Sequence, residues 1–256
     1  MIHPTAIVDA SAHIADDVSI GPYAVIGPEV TIDSRTTIGS HAVVKGLTRI
    51  GTDNRIFQFA SVGEDPQDKK YGGEPTILEI GHRNVIREFT TIHRGTVQEQ
   101  GITRIGDDNL FMAYTHVAHD CVIGNRVIMA NAASLAGHVQ VDDFAILGGF
   151  TLVHQFCRIG QYSFSAMGSV ISRDLPPYVM VGGRPTKPHG INTVGLERQG
   201  FGSEAIRQIK KAYKIIYKAG FKLDEAINML RDMSTESAEI LPLVEFLQNT
   251  GRSIVR

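Results

Sequence analysis

The chain holds ten histidines, and five of them, His93, His116, His119, His138 and His154, crowd into the stretch from residue 93 to residue 154. Imidazole titrates near neutrality, so such a cluster can move protons or ligate a metal. Taken singly, each histidine is more simply a polar residue on an outer surface; five together point to chemistry. Their spacing sharpens the reading. Positions 119, 137 and 155, eighteen apart, are His, Gly and Gln, while 120 and 138 are Asp and His. A repeat of eighteen would stack His119, Gly137 and Gln155 and set Asp120 beside His138. A histidine next to an accessible glycine amide suits acyl transfer to a hydroxyl, with a base for the hydroxyl proton and an N–H donor for the developing oxyanion. An already activated thioester then requires neither a metal nor a covalent intermediate.

The elements that must position these residues follow from a period of six. Stepping from Ile2 gives Val8, Ile14, Ile20, Ile26, Ile32, Ile38, Val44, Ile50, Ile56 and Val62, with Gly following at Gly21, Gly27, Gly39, Gly51 and Gly63. A second column, four residues after each aliphatic, holds Ala6, Ala12, Val18, Ala24, Val30, Thr36, Ala42 and Thr48. Such a hexad is a short strand plus a corner, and three hexads close a triangular coil of eighteen residues, the parallel β-helix solution for hexapeptide repeats. Stacked coils lie about 4.8 Å apart. The phase survives from Val62 to Ile80 across a polar segment, Gly63 to Thr76, which reads as a full coil's worth of chain extruded as a loop. After Ile92 a second interruption shifts the frame by one; stepping resumes from Ile105 to Ile159, breaks at Ser165 and ends at Ile171.

Beyond Pro176-Pro177 the period vanishes, and Gly182, Gly183, Pro185 and Pro188 predict an irregular connection. Ser203 and Glu204 mark a helix start followed by Ile206, Ile209, Tyr213 and Ile216 at helical spacing, with amphipathic segments near 223–233 and 238–249. The expected fold is mainly β, a parallel β-helix over residues 1–189, with a C-terminal α-helical domain over 190–256.

Composition agrees and excludes other classes. Twenty-six glycines, no Trp and 7% aromatics suit a narrow coil interior, and a net charge of −2 offers no global basic field for nucleic acid. No secretory signal and no transmembrane segment are read, so the expected compartment is cytoplasmic. Cys121 and Cys157 share a hexad position two coils apart, about 9.6 Å by the coil spacing and beyond the ~7 Å reach of a disulfide. They are expected to be free and inert. Residues 190–256 carry ten basic against eight acidic groups, and between Ala205 and Leu223 lie six basic residues and no acidic one, including Lys210, Lys211 and Lys214.

Five stretches carry a resemblance: PQDKKYGGEPT at Pro66–Thr76, TIHRGT at Thr91–Thr96, THVAHDCVIGNR at Thr115–Arg126, LAGHVQVDD at Leu135–Asp143 and VHQF at Val153–Phe156. In these runs, and over essentially its whole length, the chain resembles the acyl-carrier-protein-dependent UDP-N-acetylglucosamine O-acyltransferases of lipid A biosynthesis. The resemblance implies a homotrimer of left-handed β-helices with active sites in the clefts between subunits, and no metal or other cofactor beyond the phosphopantetheine of the acyl carrier protein. It implies His119 as general base toward the glucosamine 3-hydroxyl, Asp120 as its support and the Gly137 amide as oxyanion donor. Asp68, His93, His116, His138 and His154 would contact the substrate, with Gln67 near the sugar, Gln155 near the diphosphate and Lys70 on substrate or the pantetheine arm.

Met167 stands where the family sets the end of the acyl pocket, so a shorter, 3-hydroxydecanoyl donor is expected. Asn192 and Arg198 match uridine and phosphate contacts, but Glu197-Arg198-Gln199 departs from the family's Lys-Arg-Arg run. The acidic carrier protein would dock on the basic helix. Two rival readings are a hexapeptide zinc enzyme resembling the gamma-type carbonic anhydrases, using His116, His119 and His138, and a noncatalytic sugar-nucleotide binding or scaffold protein.

Overall fold

Hexads become two-residue strands such as Ile7–Val8, His13–Ile14 and Ser19–Ile20, each followed by a four-residue corner. In the computed structural model, which describes residues 1–251 and 253–256, these strands stack into three sheets of nine, eight and ten strands. Up to Val179–Gly182 consecutive strands go to different sheets, and all pairs are parallel except the last, so the chain winds as a three-sided β-helix. Register records the coil length. Val25 pairs with Val43 and Val43 with Ser61, eighteen apart; Ser61 pairs with Thr91 and Thr91 with His116, where extra chain is extruded; His116 with Ser134 restores eighteen.

From Tyr23 onward most corners turn through a residue in the left-handed region, including Tyr23, Asp120, His138 and Phe156 with φ of 57, 58, 63 and 63°. Most are not glycine, so the fold sustains a conformation that L-residues ordinarily avoid. Stacked corners supply the compensation. Tyr23, His41, Phe59, Phe89 and Tyr114 stack ring on ring along one edge at 4.9–5.3 Å, and Arg35–Asp53 and Arg83–Asp108 pair along another. Inside, the first column is buried and aliphatic apart from Phe111, from Ile20 and Ile26 to Leu147 and Ile159. Cys121 and Cys157 are buried and unpaired with each other, and burial pushes the Cys121 thiol up to about 12.

Three expectations change. The extruded segment begins later than Gly63, because Ser61–Glu64 is still strand, and it is shorter than a full coil, because Ile50 pairs with Ile80 and Ser61 with Thr91, thirty apart where a regular coil takes eighteen. The repeat does not break at Ser165 or end at Ile171. Ser165 occupies the inward column fully buried, its hydroxyl 2.8 Å from Thr151 Oγ1, and the stack continues as Ser165 pairs with Val181. The connection around Gly182–Pro188 is a hairpin, in which Lys187–Ile191 runs antiparallel to Val179–Gly182. Pro188 is tolerated there because that strand is the sheet's edge.

Among the described residues, four α-helices follow, α1 (Thr193–Arg198), α2 (Ser203–Tyr217), α3 (Leu223–Ser234) and α4 (Leu241–Gln248), with a 3-10 turn at Ala238–Ile240 leading into the last. The α2 pattern is as expected, with Ile206, Ile209, Tyr213 and Ile216 buried and Arg207, Lys210, Lys211, Lys214 and Lys218 exposed. Among the described residues, no helix is long and apolar enough to cross a membrane.

Candidate active site

One edge of the prism gathers the predicted chemistry. It joins the sheet that contains Thr91–His93 and His116–Val117 to the one that contains Ile77–Ile80 and Ile102–Ile105. Both extruded segments, 65–76 and 94–101, leave the coil at this edge, and the corners at 118–121, 136–139 and 154–157 lie on it. The eighteen-residue arithmetic holds: His138 N donates to His119 O at 3.0 Å and Phe156 N to Gly137 O at 3.2 Å.

At the centre, Asp120 is almost fully buried, with its backbone N–H given to Thr103 Oγ1. Its carboxylate accepts from Thr96 N at 3.0 Å, Thr96 Oγ1 at 2.6 Å and His119 Nδ1 at 2.9 Å; His138 Nδ1 stands 3.9 Å off. Burial opposes the charge, but the bonds from His119 and Thr96 outweigh it and hold the carboxyl below its usual range. An ionised Asp120 fixes the proton of His119 on Nδ1, which leaves Nε2 with its lone pair. That face of the ring lies over Gly137: a Cβ added there would come within 2.6 Å of His119 Cε1 and 2.8 Å of Nε2. Among the described residues the Gly137 N–H has no hydrogen-bond acceptor. The imidazole and a glycine with an unengaged amide thus lie against each other in adjacent coils.

His138 packs edge-on to His119 at 5.0 Å and stacks on Phe156 at 4.4 Å, and burial lowers its proton affinity. His116 is held more firmly neutral, pushed down to about 4 by burial and then by His93 and His119. Its Nδ1 lies 2.8 Å from Thr91 Oγ1, and its ring is 5.3 Å from that of His93. His93 is buried and gives its Nδ1 proton to Asp65 O at 2.5 Å.

An open cavity of about 570 Å³ fronts His119 and His138, lined also by Gln67, Asp68, Lys69, Lys70, Gln98, Glu99, Gln155 and Phe156. Of the predicted residues, His119, His138, Gln67, Asp68, Lys70 and Gln155 meet there, with Asp120 and Gly137 behind the base. His93 and His116 sit one layer along, and His154 is exposed beside Gln155. Met167, Asn192 and Arg198 do not line this cavity within one chain. Met167 is 82% exposed, and Asn192 caps α1, accepting from Gly195 N and donating to Tyr162 O. Thr96, Gln98 and Glu99 were not singled out from sequence. The signal for them was the second interruption itself, a polar insertion at the same edge as the first.

His119, Asp120 and His138 place one donor atom each within 4.8 Å of one another, a set able to hold a metal ion. An ion there would compete for the carboxylate that already accepts from Thr96 and His119. The His116 of the three-histidine reading is instead engaged with Thr91.

The family described as UDP N-acetylglucosamine O-acyltransferase, domain 2, matches residues 174–255, and the bacterial transferase hexapeptide family matches 2–46 and 102–137. An acyl-[acyl-carrier-protein]–UDP-N-acetylglucosamine O-acyltransferase of Thiobacillus denitrificans is 56% identical, covering all of this chain and 99% of its own. Among solved structures, LpxA from Acinetobacter baumannii superposes with a TM-score of 0.98 at 49% identity, and UDP-N-acetylglucosamine O-acyltransferase from Moraxella catarrhalis with 0.97 at 46%. Each covers the whole of this chain with 99% of its own length.

Proposed function

This chain belongs to the family of acyl-[acyl-carrier-protein]–UDP-N-acetylglucosamine O-acyltransferases, and on that premise we propose how its residues transfer an (R)-3-hydroxyacyl chain to the glucosamine 3-hydroxyl, the first step of lipid A biosynthesis. The observation that carries the reading is His119, oriented by buried Asp120, lining a polar cavity with its ring against Gly137, whose amide is unengaged among the described residues. His119 Nε2 takes the proton of the 3-hydroxyl as its oxygen bonds to the thioester carbonyl carbon. The carbonyl oxygen becomes an oxyanion that accepts from Gly137 N–H. When the C–O double bond reforms, the C–S bond breaks, and imidazolium His119 returns its proton to the departing pantetheine thiolate. Asp120 stabilises the imidazolium between the two transfers. Base and oxyanion donor each supply about 10² to 10³ or more in rate.

Around this centre we assign Gln67, Asp68, His93, His116, His138 and His154 to the sugar and phosphates, Gln155 to the diphosphate, Lys70 to substrate or the pantetheine arm, and Asn192 with Arg198 to the nucleotide. We assign a left-handed homotrimer on the likeness to the solved O-acyltransferases, and the exposure of Met167, with Asn192 and Arg198 outside the cavity of one chain, supports sites that lie between subunits. Met167 then closes the acyl channel at a 3-hydroxydecanoyl length. The β-helix over 1–189 acts with a helical domain over 190–256, and the enzyme works in the cytoplasm on acyl carrier protein.

The test is turnover of UDP-N-acetylglucosamine with 3-hydroxydecanoyl and 3-hydroxytetradecanoyl carrier proteins, using the parent, His119→Ala with verified assembly, and Met167→Gly. The expected outcome is a strong preference for the ten-carbon donor, relaxed toward fourteen carbons by Met167→Gly, and activity lost in His119→Ala. Activity surviving in that variant would refute the general base. The donor set at His119, Asp120 and His138 keeps a zinc reading testable: stoichiometric zinc, with activity lost on chelation, would replace the acid–base scheme.

A further inference from the structure

The segment 65–76 carries Gln67, Asp68 and Lys70 to the cavity, yet its internal hydrogen bonds are short in range, from Tyr71 N to Asp68 O, Lys70 N to Asp68 Oδ1 and Gly72 N to Glu74 Oε2. Among the described residues, its hydrogen bonds to the body of the coil converge on His93 and Arg94. Arg94 is the larger anchor. Its side chain is only 9% exposed. Nη1 donates to Gly63 O at 2.5 Å, and Nη2 donates both to the Asp65 carboxylate and to the Tyr71 hydroxyl, at 2.9 Å for the latter. That hydroxyl donates in turn to Glu74 O at 2.9 Å. One guanidinium therefore grips the segment where it leaves the coil and again where it turns back.

The coil makes room for this grip. At Gly46, whose φ is +61°, an added Cβ would fall 2.2 Å from Arg94 Nη1. Gly63, with φ of +78°, sits where the register slips between Val62 and Glu64, leaving its carbonyl for Arg94 rather than for the ladder. A buried guanidinium whose acceptors come from one segment and its exit is costly to unpair, and lysine cannot reproduce the planar fork.

We propose that Arg94 is a positioning residue for sugar-nucleotide binding: without lining the cavity, it fixes the 65–76 segment so that Gln67, Asp68 and Lys70 face His119 across it. The proposal rests on the substrate reading of that cavity. The full chain is compared with Arg94→Met, Arg94→Lys and Tyr71→Phe by amide hydrogen exchange, calorimetric binding of UDP-N-acetylglucosamine, steady-state turnover and thermal unfolding.

In Arg94→Met, exchange over 65–76 should quicken about tenfold with the coil unchanged. Kd and KM for UDP-N-acetylglucosamine should rise about tenfold to a hundredfold while kcat falls far less. Arg94→Lys should recover only part of the affinity. Tyr71→Phe keeps the ring and loses two bonds, one to Arg94 and one to Glu74 O, while Arg94 keeps its bonds to Gly63 and Asp65, so it should move exchange and Kd the same way by less, and it carries the test if Arg94→Met does not fold. Faster exchange with unchanged Kd overturns the proposal, as does a lowered Tm with Kd intact, which would make Arg94 a structural staple alone. A parent chain that does not bind UDP-N-acetylglucosamine overturns the functional reading and the affinity half of the proposal, while exchange still reads the anchoring by itself.

Discussion

His119 and Gly137 constrain each other. The glycine has no positive φ, so alanine meets no backbone penalty there; the conflict is with the imidazole, 2.6 Å from where the Cβ would be. Gly137→Ala must displace the imidazole from its seat against this coil. We expect kcat to fall by about 10² or more with Tm nearly unchanged, since misplacing a catalytic group by an ångström is enough; kcat within threefold of the parent would show that the ring is not held there.

The second residue-scale prediction concerns His116, which burial holds at about 4 against an ordinary 6.5. The folded state binds this proton less readily than the unfolded state. The stabilisation is therefore complete above about pH 6.5 and is lost as pH falls toward 4, a difference of up to about 3 kcal/mol. His116→Gln should flatten the fall in Tm between those pH values; an unchanged profile would place the protonation elsewhere.

At the scale of elements, the interior is not purely apolar. Asn54, Asn84 and Asn109 are fully buried in successive coils, each Oδ1 accepting the backbone N–H one coil on: Asn84 N, Asn109 N and Val127 N. Asn84 Nδ2 also donates to Asn54 Oδ1 and to Gly106 O. Asn84→Leu fills similar space but strands these partners, and a loss of about 3 kcal/mol in urea unfolding is expected, because each buried orphan costs about 1–3 kcal/mol. A loss under 1 kcal/mol would mean that the ladder is decorative.

This ladder also shows what the sequence could and could not say. The aliphatic column was legible because one inward residue per hexad is a strict steric requirement, and the same period placed His119 against Gly137. The polar inward positions hid because a hydroxyl or amide can be satisfied inside by its coil neighbours, so Ser165 looked like a break and was none. Arg94, Thr96 and Glu99 hid for a different reason: they belong to an insertion, where the eighteen-residue rule lapses and position is set by side-chain bonds. The edge hairpin at Lys187–Ile191 was masked by Pro188, which only an edge strand accommodates.

At the scale of the whole molecule, a near-neutral total conceals a polarised surface. On α2, Lys210, Lys211 and Lys214 are exposed on the side opposite the buried Ile206, Ile209 and Ile216, and Arg207 is partly neutralised by Glu204 at the first turn. The charge therefore resides in the middle of the helix and beyond, at Lys210, Lys211, Lys214 and Lys218. If an acidic carrier protein docks there, its encounter rate is steered over a Debye length of about 8 Å at physiological salt, and raising salt shortens that reach. We expect kcat/KM for the carrier-bound donor to fall steeply between low and high ionic strength, while kcat at saturation changes little. Reversing Lys210, Lys211 and Lys214 to Glu should lower kcat/KM at low salt and flatten its salt dependence, without altering the affinity for UDP-N-acetylglucosamine. Those three side chains are solvated and make no ion pair among the described residues, so the triple variant should keep its Tm. A steep salt response that survives the reversal would move the docking face off this helix; a flat response in the parent would remove electrostatic steering from the mechanism altogether.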